Sequence, residues 1–276
     1  MNRIILSCFI VILLPIAARA ETPLALSPKT LFQGDAVVVS FSKNPRSATF
    51  DGAAISVFPY AGAYRAVFGV SATKPPGAYV LRVDFADGTV QEQTVAVRAK
   101  KFPLVVLGIP EKLGLTPTGL VNKLQTEKVI LDEIFGKKAE NVFFSSQFGL
   151  ALADNRRVGS VFGEIRQTGE TQIRHMGTDF TAKKGAAVGA INAGLVRKAY
   201  VDAVYGNLVI VDHGQGIFSF YIHLDTIRVK EGAALKKGSL VGTVGNTGYA
   251  ETPHLHLSIK INGVSVDPIS FVRNLQ

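Results

Sequence analysis

Short runs of alternating apolar and polar residues, divided by glycine, proline and aspartate, make up most of the chain beyond its first twenty positions. From Tyr79 to Phe85 every second residue is large and apolar, and the run leads into Asp87-Gly88, a strong hairpin signal. A further apolar run, residues 36–41, directly follows the turn signal Gly34-Asp35. Residues 21–99 are therefore predicted to form a β-sandwich of immunoglobulin-like size, which serves as a targeting module or a spacer.

The next segment, residues 100–150, is predicted to be a connector with one helix. The β pattern stops at Lys100, and Thr116-Pro117 begins a helix that ends near Gly136. The apolar positions of this helix form one face, which is expected to pack on a domain: Leu120, Leu124, Leu131, Ile134 and Phe135. From residue 151 to residue 276 the pattern is β again, so the fold class is mainly β, with an antiparallel C-terminal domain.

The first twenty residues have the pattern of a secretory signal peptide. A basic start containing Arg3 precedes an apolar stretch that is too short to cross a bilayer, and Ala18-Arg19-Ala20 is a small-x-small cleavage site. An uncleaved anchor is the alternative. The only cysteine, Cys8, lies within this segment, so disulfides and thiol chemistry are excluded from the mature chain. We expect export to the periplasm or the cell wall, and no transmembrane segment after signal removal.

The net charge of +9 would favour binding to anionic polymers, although a moderately basic composition is common among proteins. Lysine and arginine are dispersed rather than grouped with stacking aromatic residues, and export argues in the same direction, so no nucleic-acid partner is expected. The chain has no Gly-x-Ser-x-Gly motif, which leaves a serine hydrolase without a visible nucleophile. Nothing in the sequence demands more than a monomer.

All five histidines lie between positions 175 and 256. His254 and His256 alternate with leucines, so on a strand both imidazoles project from one face while the leucines enter the core. One of these histidines can bind a metal while the other reaches a metal-bound water. The same alternation around His223 predicts that Phe218, Phe220, Ile222 and Leu224 face the core and that His223 lies on the opposite face.

His175 and Asp179 share a face on an extended segment, and the residue midway between them, Gly177, leaves the space that a metal ion needs. Two imidazoles and one carboxylate are typical of a catalytic zinc site with one open position for water. Spacing alone does not separate zinc from nickel or iron, but zinc is the usual metal for hydrolysis.

Four linked motifs resemble the lysostaphin/LytM-type peptidoglycan metalloendopeptidases. They are His175-x-x-x-Asp179, Tyr205-Gly206-Asn207 with Val209-Ile210-Val211-Asp212-His213-Gly214, Tyr221-Ile222-His223-Leu224, and Pro253-His254-Leu255-His256. The resemblance covers about residues 158–269, and both the order and the distances match. It implies an antiparallel fold of duplicated hairpins and a protein that cuts peptide bonds in peptidoglycan with one Zn²⁺ per chain.

The resemblance also implies a role for each matching residue. His175, Asp179 and His256 are expected to be the zinc ligands. His223 and His254 are expected to be the catalytic pair that activates water and stabilises the tetrahedral intermediate. His213 matches a position that is not a ligand, and its Asp-His-Gly setting indicates a hairpin turn, so we expect it to be structural.

Two other functions remain open at this point. Relatives of this family that have lost metal ligands act as non-catalytic regulators of cell-wall amidases, but such proteins usually lack at least one of the five positions that are present here. A metal-binding or cell-wall-binding protein without hydrolysis would have little use for His223 and His254. Pentaglycine bridges, D-alanyl–diaminopimelate cross-links and other stem-peptide bonds are all open as the bond that is cut.

Overall fold

The computed structural model describes residues 24–106, 119, 122–123, 131, 133–136, 139–152, 157–168 and 170–275. Strands dominate these residues, which confirms the prediction of a mainly β protein. The predicted signal peptide, residues 1–20, and the first residues of the predicted connector helix lie outside the described residues. Where the structure describes the chain, it contains no helix that is both long and apolar enough to cross a membrane.

Nine strands between residues 24 and 98 form two sheets around an apolar core. The strands are β1 (Leu24–Ser27), β2 (Leu31–Phe32), β3 (Ala36–Phe41), β4 (Pro45–Phe50), β5 (Ala53–Ile55), β6 (Val57–Tyr60), β7 (Ala63–Gly69), β8 (Gly77–Phe85) and β9 (Val90–Arg98). One sheet has the order β1-β3-β7-β6 and the other has the order β2-β9-β8-β4-β5. Asp87-Gly88 joins β8 to β9 as predicted, whereas the immunoglobulin-like detail and the boundary at residue 99 stay predictions.

Thirteen more strands, the helical residues of the connector and a short C-terminal helix follow among the described residues. The strands and the C-terminal helix are β10 (Leu104–Val106), β11 (Val158–Ser160), β12 (Ile165–Thr168), β13 (Thr171–Arg174), β14 (Thr178–Thr181), β15 (Ala187–Gly189), β16 (Gly194–Asp202), β17 (Gly206–Gly214), β18 (Ile217–Ile227), β19 (Ala234–Leu235), β20 (Leu240–Val244), β21 (His254–Ile261), β22 (Val264–Val266) and the C-terminal helix Pro268–Asn274.

The large C-terminal sheet runs β11-β14-β21-β18-β17-β16-β19. β15 joins it through β20, which pairs with β18, and β22 pairs with β21. Every pairing in this sheet is antiparallel, as expected. A separate small sheet, β10-β12-β13, leads directly into the segment that holds His175.

The hairpin β17–β18 is buried on both faces, which corrects the predicted direction of one residue. Phe218, Phe220 and Ile222 face a second apolar core, whereas Leu224 joins Tyr221 in the main core. The pairing register shifts between Val209–Tyr221 and Asn207–Leu224, so β18 carries an extra residue there. Such a β-bulge reverses the alternation beyond it, and therefore simple parity placed Leu224 on the wrong face.

The described part of the connector packs on this hairpin. Residues 119, 122–123, 131 and 133–136 are helical, and Leu131, Ile134 and Phe135 contact the second core. The Phe135 ring lies 5.1 Å from that of Phe218, edge to face. Residues 139–152 then run past the turn of the hairpin, where Phe143 N donates to His213 O at 3.1 Å. This contact lies at the end of β18 opposite to His223.

The N-terminal sandwich contributes one face of a sheet to the main core of the C-terminal part. β3 is buried on both faces, because Val37 and Val39 enter the sandwich core while Ala36 and Val38 enter the main core of the C-terminal part. The side-chain amide of Asn274 in the C-terminal helix also donates to Ala36 O at 2.9 Å. The sandwich is therefore fixed against the C-terminal part rather than joined to it only through the connector.

Candidate metal centre

Three side chains expected to be ligands converge at one point. His175 Nε2, Asp179 Oδ1 and His256 Nδ1 lie within 4.8 Å of one another. The three separations are 3.1 Å from His175 to Asp179, 2.9 Å from His175 to His256, and 2.8 Å from His256 to Asp179. Ligand atoms of a tetrahedral zinc site stand roughly 3.3 Å apart, given bonds of about 2.0 to 2.1 Å. The three donor atoms therefore have the spacing and chemistry of a zinc site.

Strand pairing explains why two of these atoms meet. Asp179 on β14 lies directly opposite His256 on β21. The next pair, Phe180 and Leu255, is buried in the main core, and successive residues of a strand point to opposite faces. The burial of Phe180 and Leu255 therefore directs Asp179 and His256 together toward the other face.

Gly177 allows the third ligand to approach. A Cβ at this position would lie 2.6 Å from Ser258 Oγ and 2.7 Å from Leu257 O, and it would also meet His256 Nε2. The glycine thus makes room for the His256 ring and its neighbour Ser258, rather than for the metal ion as the sequence suggested. Any larger residue would push the His175 segment away from β21.

Each candidate ligand has a second polar partner that fixes its orientation. His175 Nδ1 contacts Val161 O at 2.9 Å, so the opposite nitrogen faces the cluster. His256 Nε2 contacts Ser258 Oγ at 2.8 Å, and Ser258 Oγ donates to Met176 O at 2.9 Å. A ligand histidine commonly donates its other ring N–H in this way, which fixes its tautomer.

Arg166 binds the second carboxylate oxygen of Asp179, one of the three candidate ligands. Its Nη2 donates to Asp179 Oδ2 at 2.7 Å, and its Nε donates to Glu164 Oε1 at 3.0 Å. The other oxygen, Asp179 Oδ1, is left to face the two histidines. A buried carboxylate that is paired on one oxygen can therefore offer the other to a cation.

The environment keeps Asp179 and His256 in the protonation states that a metal needs. Burial by itself would raise the pKa of Asp179, but hydrogen bonds from His175 and His256 and their charges outweigh it and hold this pKa well below its usual range. Burial lowers the pKa of His256 to about 4, against the opposing effect of Asp179. Near neutral pH the carboxylate is thus ionised and the His256 imidazole is neutral.

His223 and His254 lie beside this cluster with their rings 5.0 Å apart. His254 Nε2 is 3.7 Å from Asp179 Oδ1, and its Nδ1 contacts Thr252 O at 2.8 Å. His223 Nδ1 contacts Thr247 O at 2.8 Å. Because a carbonyl can only accept, both rings carry the proton on Nδ1 and have an unprotonated Nε2 when neutral. Burial, followed by the charges of His256 and His254, lowers the pKa of His223 to about 3.

The β-bulge in β18 places His223 at the cluster. The φ of His223 is 63°, in the left-handed region, and this backbone conformation is costly for a residue other than glycine. Asn207 Nδ2 holds the bulge by donating to Leu224 O and Asp225 O, both at 2.9 Å. Thr247 Oγ1 donates to Leu224 O at 2.7 Å as well. The strained backbone is thus held by two side chains from neighbouring elements.

His213 lies apart from this cluster, in a buried polar chain. Its Nδ1 contacts Ala193 O at 2.7 Å and its Nε2 contacts Ser219 Oγ at 2.8 Å. Ser219 in turn bonds the Tyr221 hydroxyl at 3.1 Å. Burial lowers the pKa of His213 to about 4. Each ring nitrogen has a partner, which agrees with the expected structural role.

Several residues that shape the site carried no recognisable signal in the sequence. Arg166, Glu164 and Val161 precede the first motif in a stretch without histidine, and their contacts form only when β12 and β13 pair. Ser258 shares a strand face with His254 and His256, so its parity could have indicated a supporting role.

Comparison with known proteins identifies similar sequences for this region. Residues 173–268 match the model of Peptidase family M23. Peptidoglycan DD-endopeptidase ShyC of Vibrio cholerae is 36% identical over 159 residues, which are 54% of this chain and 35% of ShyC. Murein hydrolase activator NlpD of Salmonella typhimurium is 34% identical over 111 residues, which are 39% of this chain and 29% of NlpD. This chain thus spans about a third of the length of these curated relatives.

One solved structure is similar over almost its whole length. A crystal structure from Pseudomonas aeruginosa, described as a candidate peptidase M23, has a TM-score of 0.66 and 27% identity. The alignment covers 87% of this chain and 94% of that chain. The similarity therefore includes residues well outside the 173–268 match.

Proposed function

The C-terminal part of this chain, residues 173–268, belongs to peptidase family M23, and on that premise we propose that the protein is a zinc metalloendopeptidase of peptidoglycan. It hydrolyses peptide bonds in the stem peptides or the cross-bridges. The observation that carries this proposal is the placement of two further imidazoles, His223 and His254, beside a three-ligand cluster. The similarity to ShyC, which is named a peptidoglycan DD-endopeptidase, supports the substrate class.

Zinc is the metal of this family, and His175, Asp179 and His256 would hold one ion per chain. When bound, zinc supplies a Lewis acid that polarises the scissile carbonyl and lowers the pKa of water to about 7. Arg166 neutralises the outer oxygen of Asp179, and Ser258 holds His256 in the tautomer that leaves Nδ1 free.

His223 and His254 move the protons of the reaction. Each has Nδ1 bound to a backbone carbonyl and an unprotonated Nε2 when neutral. One Nε2 accepts a proton from the attacking water, and the resulting N–H can stabilise the oxygen of the tetrahedral intermediate or protonate the leaving amine. The depressed pKa keeps His223 neutral near neutral pH, so its Nε2 carries a free lone pair there.

The location of this activity follows from its substrate. We propose that the protein is exported and acts in the periplasm or at the cell wall, on the basis of the predicted signal peptide and of relatives named for peptidoglycan. Residues 21–99 would then be a module that accompanies the peptidase, with the connector, residues 100–150, between the two.

A second candidate function is regulation of cell-wall amidases without catalysis. The similarity to NlpD, which is named a murein hydrolase activator, favours this candidate. The presence of all five site residues favours the enzyme, because a regulator needs neither a metal cluster nor the two additional histidines.

Purified protein lacking residues 1–20, incubated with isolated peptidoglycan, tests the proposal. Released muropeptides are identified with and without a zinc chelator, and for the variants His254→Ala and His256→Ala. We expect new peptide termini only from the zinc-loaded wild type and from a control variant, Lys198→Ala, whose exposed side chain pairs with Glu231.

Zinc content separates the possible outcomes. His254→Ala should keep its zinc while losing cleavage, and His256→Ala should lose both. A wild type that binds zinc but releases no peptide, and that instead raises the activity of an added amidase, would favour the regulator. A wild type that binds no zinc would refute the proposed metal centre.

A further inference from the structure

We propose that the N-terminal sandwich supports the metal centre, because its Gly34-Asp35 turn, acting through Phe162, fixes the loop Val161–Glu164 that holds His175. The inference rests on the proposed zinc site and assigns a function to the sandwich beyond targeting or spacing. Phe162 is then a positioning residue that acts on the affinity for zinc from outside the cluster.

The loop Val161–Glu164 holds His175 at three atoms. Val161 O contacts the ring nitrogen Nδ1 of His175 at 2.9 Å. Gly163 N donates to His175 O at 2.7 Å, and His175 N donates to Glu164 O at 2.8 Å. Both the backbone of His175 and the rotation of its ring therefore follow the position of this loop.

Phe162, in the middle of that loop, packs on the sandwich. Its side chain is only 2% exposed, and its ring lies flush against the backbone of Gly34. A Cβ at Gly34 would lie 2.6 Å from Phe162 Cε1 and 3.1 Å from Cδ1. Gly34 also has a φ of 90°, so both its conformation and this contact require glycine.

The turn that receives Phe162 is itself fixed on both sides. Within the sandwich, Gly34 N donates to Val70 O at 2.9 Å. Toward the C-terminal part, Asp267 N donates to Gly34 O at 2.8 Å, and Ser270 Oγ donates to the buried Asp35 carboxylate at 2.9 Å. The Phe162 ring therefore rests on backbone that has little freedom to move.

A second ring holds the other side of the loop. Phe102, just beyond the sandwich, lies where a side chain on Gly163 would otherwise project. Arg174 Nη1 donates to Gly163 O at 2.9 Å, and its guanidinium stands 4.9 Å from the centre of the Phe102 ring. Gly34 and Phe102 thus hold the loop from two sides, and the loop in turn holds His175 at the cluster through its hydrogen bonds.

This arrangement predicts a thermodynamic coupling between the two halves of the protein. If packing of Phe162 on Gly34 raises the affinity for zinc, zinc must strengthen that packing by the same factor. The coupling can therefore be measured as a change in zinc affinity or as a change in the stability of the packing at Gly34. Neither measurement depends on catalytic activity.

The first experiment compares zinc affinities of the whole protein, measured by competition with a chromophoric chelator. Phe162→Ala is expected to bind zinc about 10- to 100-fold more weakly, the range typical for removal of outer supports of metal ligands. Phe162→Leu should show a smaller loss. The matched control is Phe58→Ala, since Phe58 is also 2% exposed and lies between the two halves, against Phe144, but does not contact the loop.

The second experiment follows amide hydrogen exchange of Gly34 and Asp267 with and without zinc. Zinc should slow exchange at these amides in the wild type and should slow it less in Phe162→Leu, in proportion to the loss of zinc affinity in that variant. This measurement remains informative if Phe162→Ala does not fold.

Unchanged zinc affinity in both Phe162 variants would overturn the inference, and so would an equal loss in Phe58→Ala, because general destabilisation would then explain both. A rate of amide hydrogen exchange at the Gly34 turn that is the same with and without zinc would also overturn the inference. A wild type that binds no zinc would instead count against the proposed function itself.

Discussion

Asp179 and His256 face each other across two antiparallel strands, with Asp179 Oδ1 2.8 Å from His256 Nδ1. A single cross-strand pair thus supplies two of the three proposed ligands, and the third, His175, comes from four residues earlier on the same segment as Asp179. A slip of β14 by one residue against β21 would turn Asp179 toward the apolar core that Phe180 and Leu255 occupy, and it would move Phe180 to the opposite face. The burial of those two apolar residues therefore protects the geometry of the site.

Substitution of Gly177 by alanine tests the close approach of the His175 segment to β21. The added Cβ would meet His256 and Ser258, so we expect the three donor atoms to separate and the affinity for zinc to fall by about 100-fold. Chelator competition measures this loss. Gly136→Ala is the control, because nothing lies within 4 Å of a Cβ there, and equal affinities in the two variants would contradict the assignment.

Ser258→Ala removes the partner of His256 Nε2. The tautomer that leaves Nδ1 free is then no longer favoured, and we expect the affinity for zinc to fall by about tenfold with little change in fold. Ser258→Thr, which keeps the hydroxyl, should restore part of the affinity. The control is Ser265→Ala on the next strand, a buried serine that bonds Lys260 instead of a ligand. A Ser258→Ala protein with wild-type affinity would show that the hydroxyl does not orient His256.

Asn207→Ala tests the support of the bulge that carries His223. Loss of the two hydrogen bonds to Leu224 O and Asp225 O should let the strained backbone relax and move His223 away from the cluster. We expect kcat on peptidoglycan peptides to fall by about 10- to 100-fold, which is part of the roughly 10²- to 10⁴-fold that a positioned acid–base group contributes, while zinc content is unchanged.

The control for this prediction is Asn192→Ala, at a buried asparagine whose side chain donates to Ser146 O away from the cluster. An equal fall in kcat for both variants would indicate loss of fold rather than loss of a catalytic position.

The buried His213 predicts a pH dependence of stability. Its folded pKa is about 4, below the ordinary 6.5, so the unfolded chain takes up a proton that the folded protein does not as the pH falls from 6.5 toward 4. The free energy of unfolding should decrease over this range, by on the order of 3 kcal/mol, and the contribution is fully present above pH 6.5.

Denaturant unfolding of the zinc-free protein at several pH values measures this effect. His213→Asn, which keeps a donor for Ala193 O, should show a flatter dependence, because every other histidine is common to both proteins. Parallel pH profiles would show that His213 does not remain neutral on burial.

The sequence by itself determined the mainly β fold and which residues could form the site. Alternation with period two placed His254 and His256 on one face of a strand and buried Leu255 and Leu257, because a strand with one face in the core must alternate. The pairing of His175 with Asp179 is equally local, since both belong to one segment of five residues.

Only the tertiary structure decided what positions those residues. His223 reaches the cluster through a β-bulge and a left-handed φ, and an alternation of period two does not predict either feature. The same bulge is the reason that alternation assigns Leu224 to the wrong face. Arg166, Ser258 and Phe162 support the site through contacts with Asp179, Met176 and Gly34, which belong to other segments of the chain. The local sequence pattern indicates which face of a strand a side chain takes. The residues that it meets on that face depend on how separate strands pair and pack, and this is a property of the whole fold.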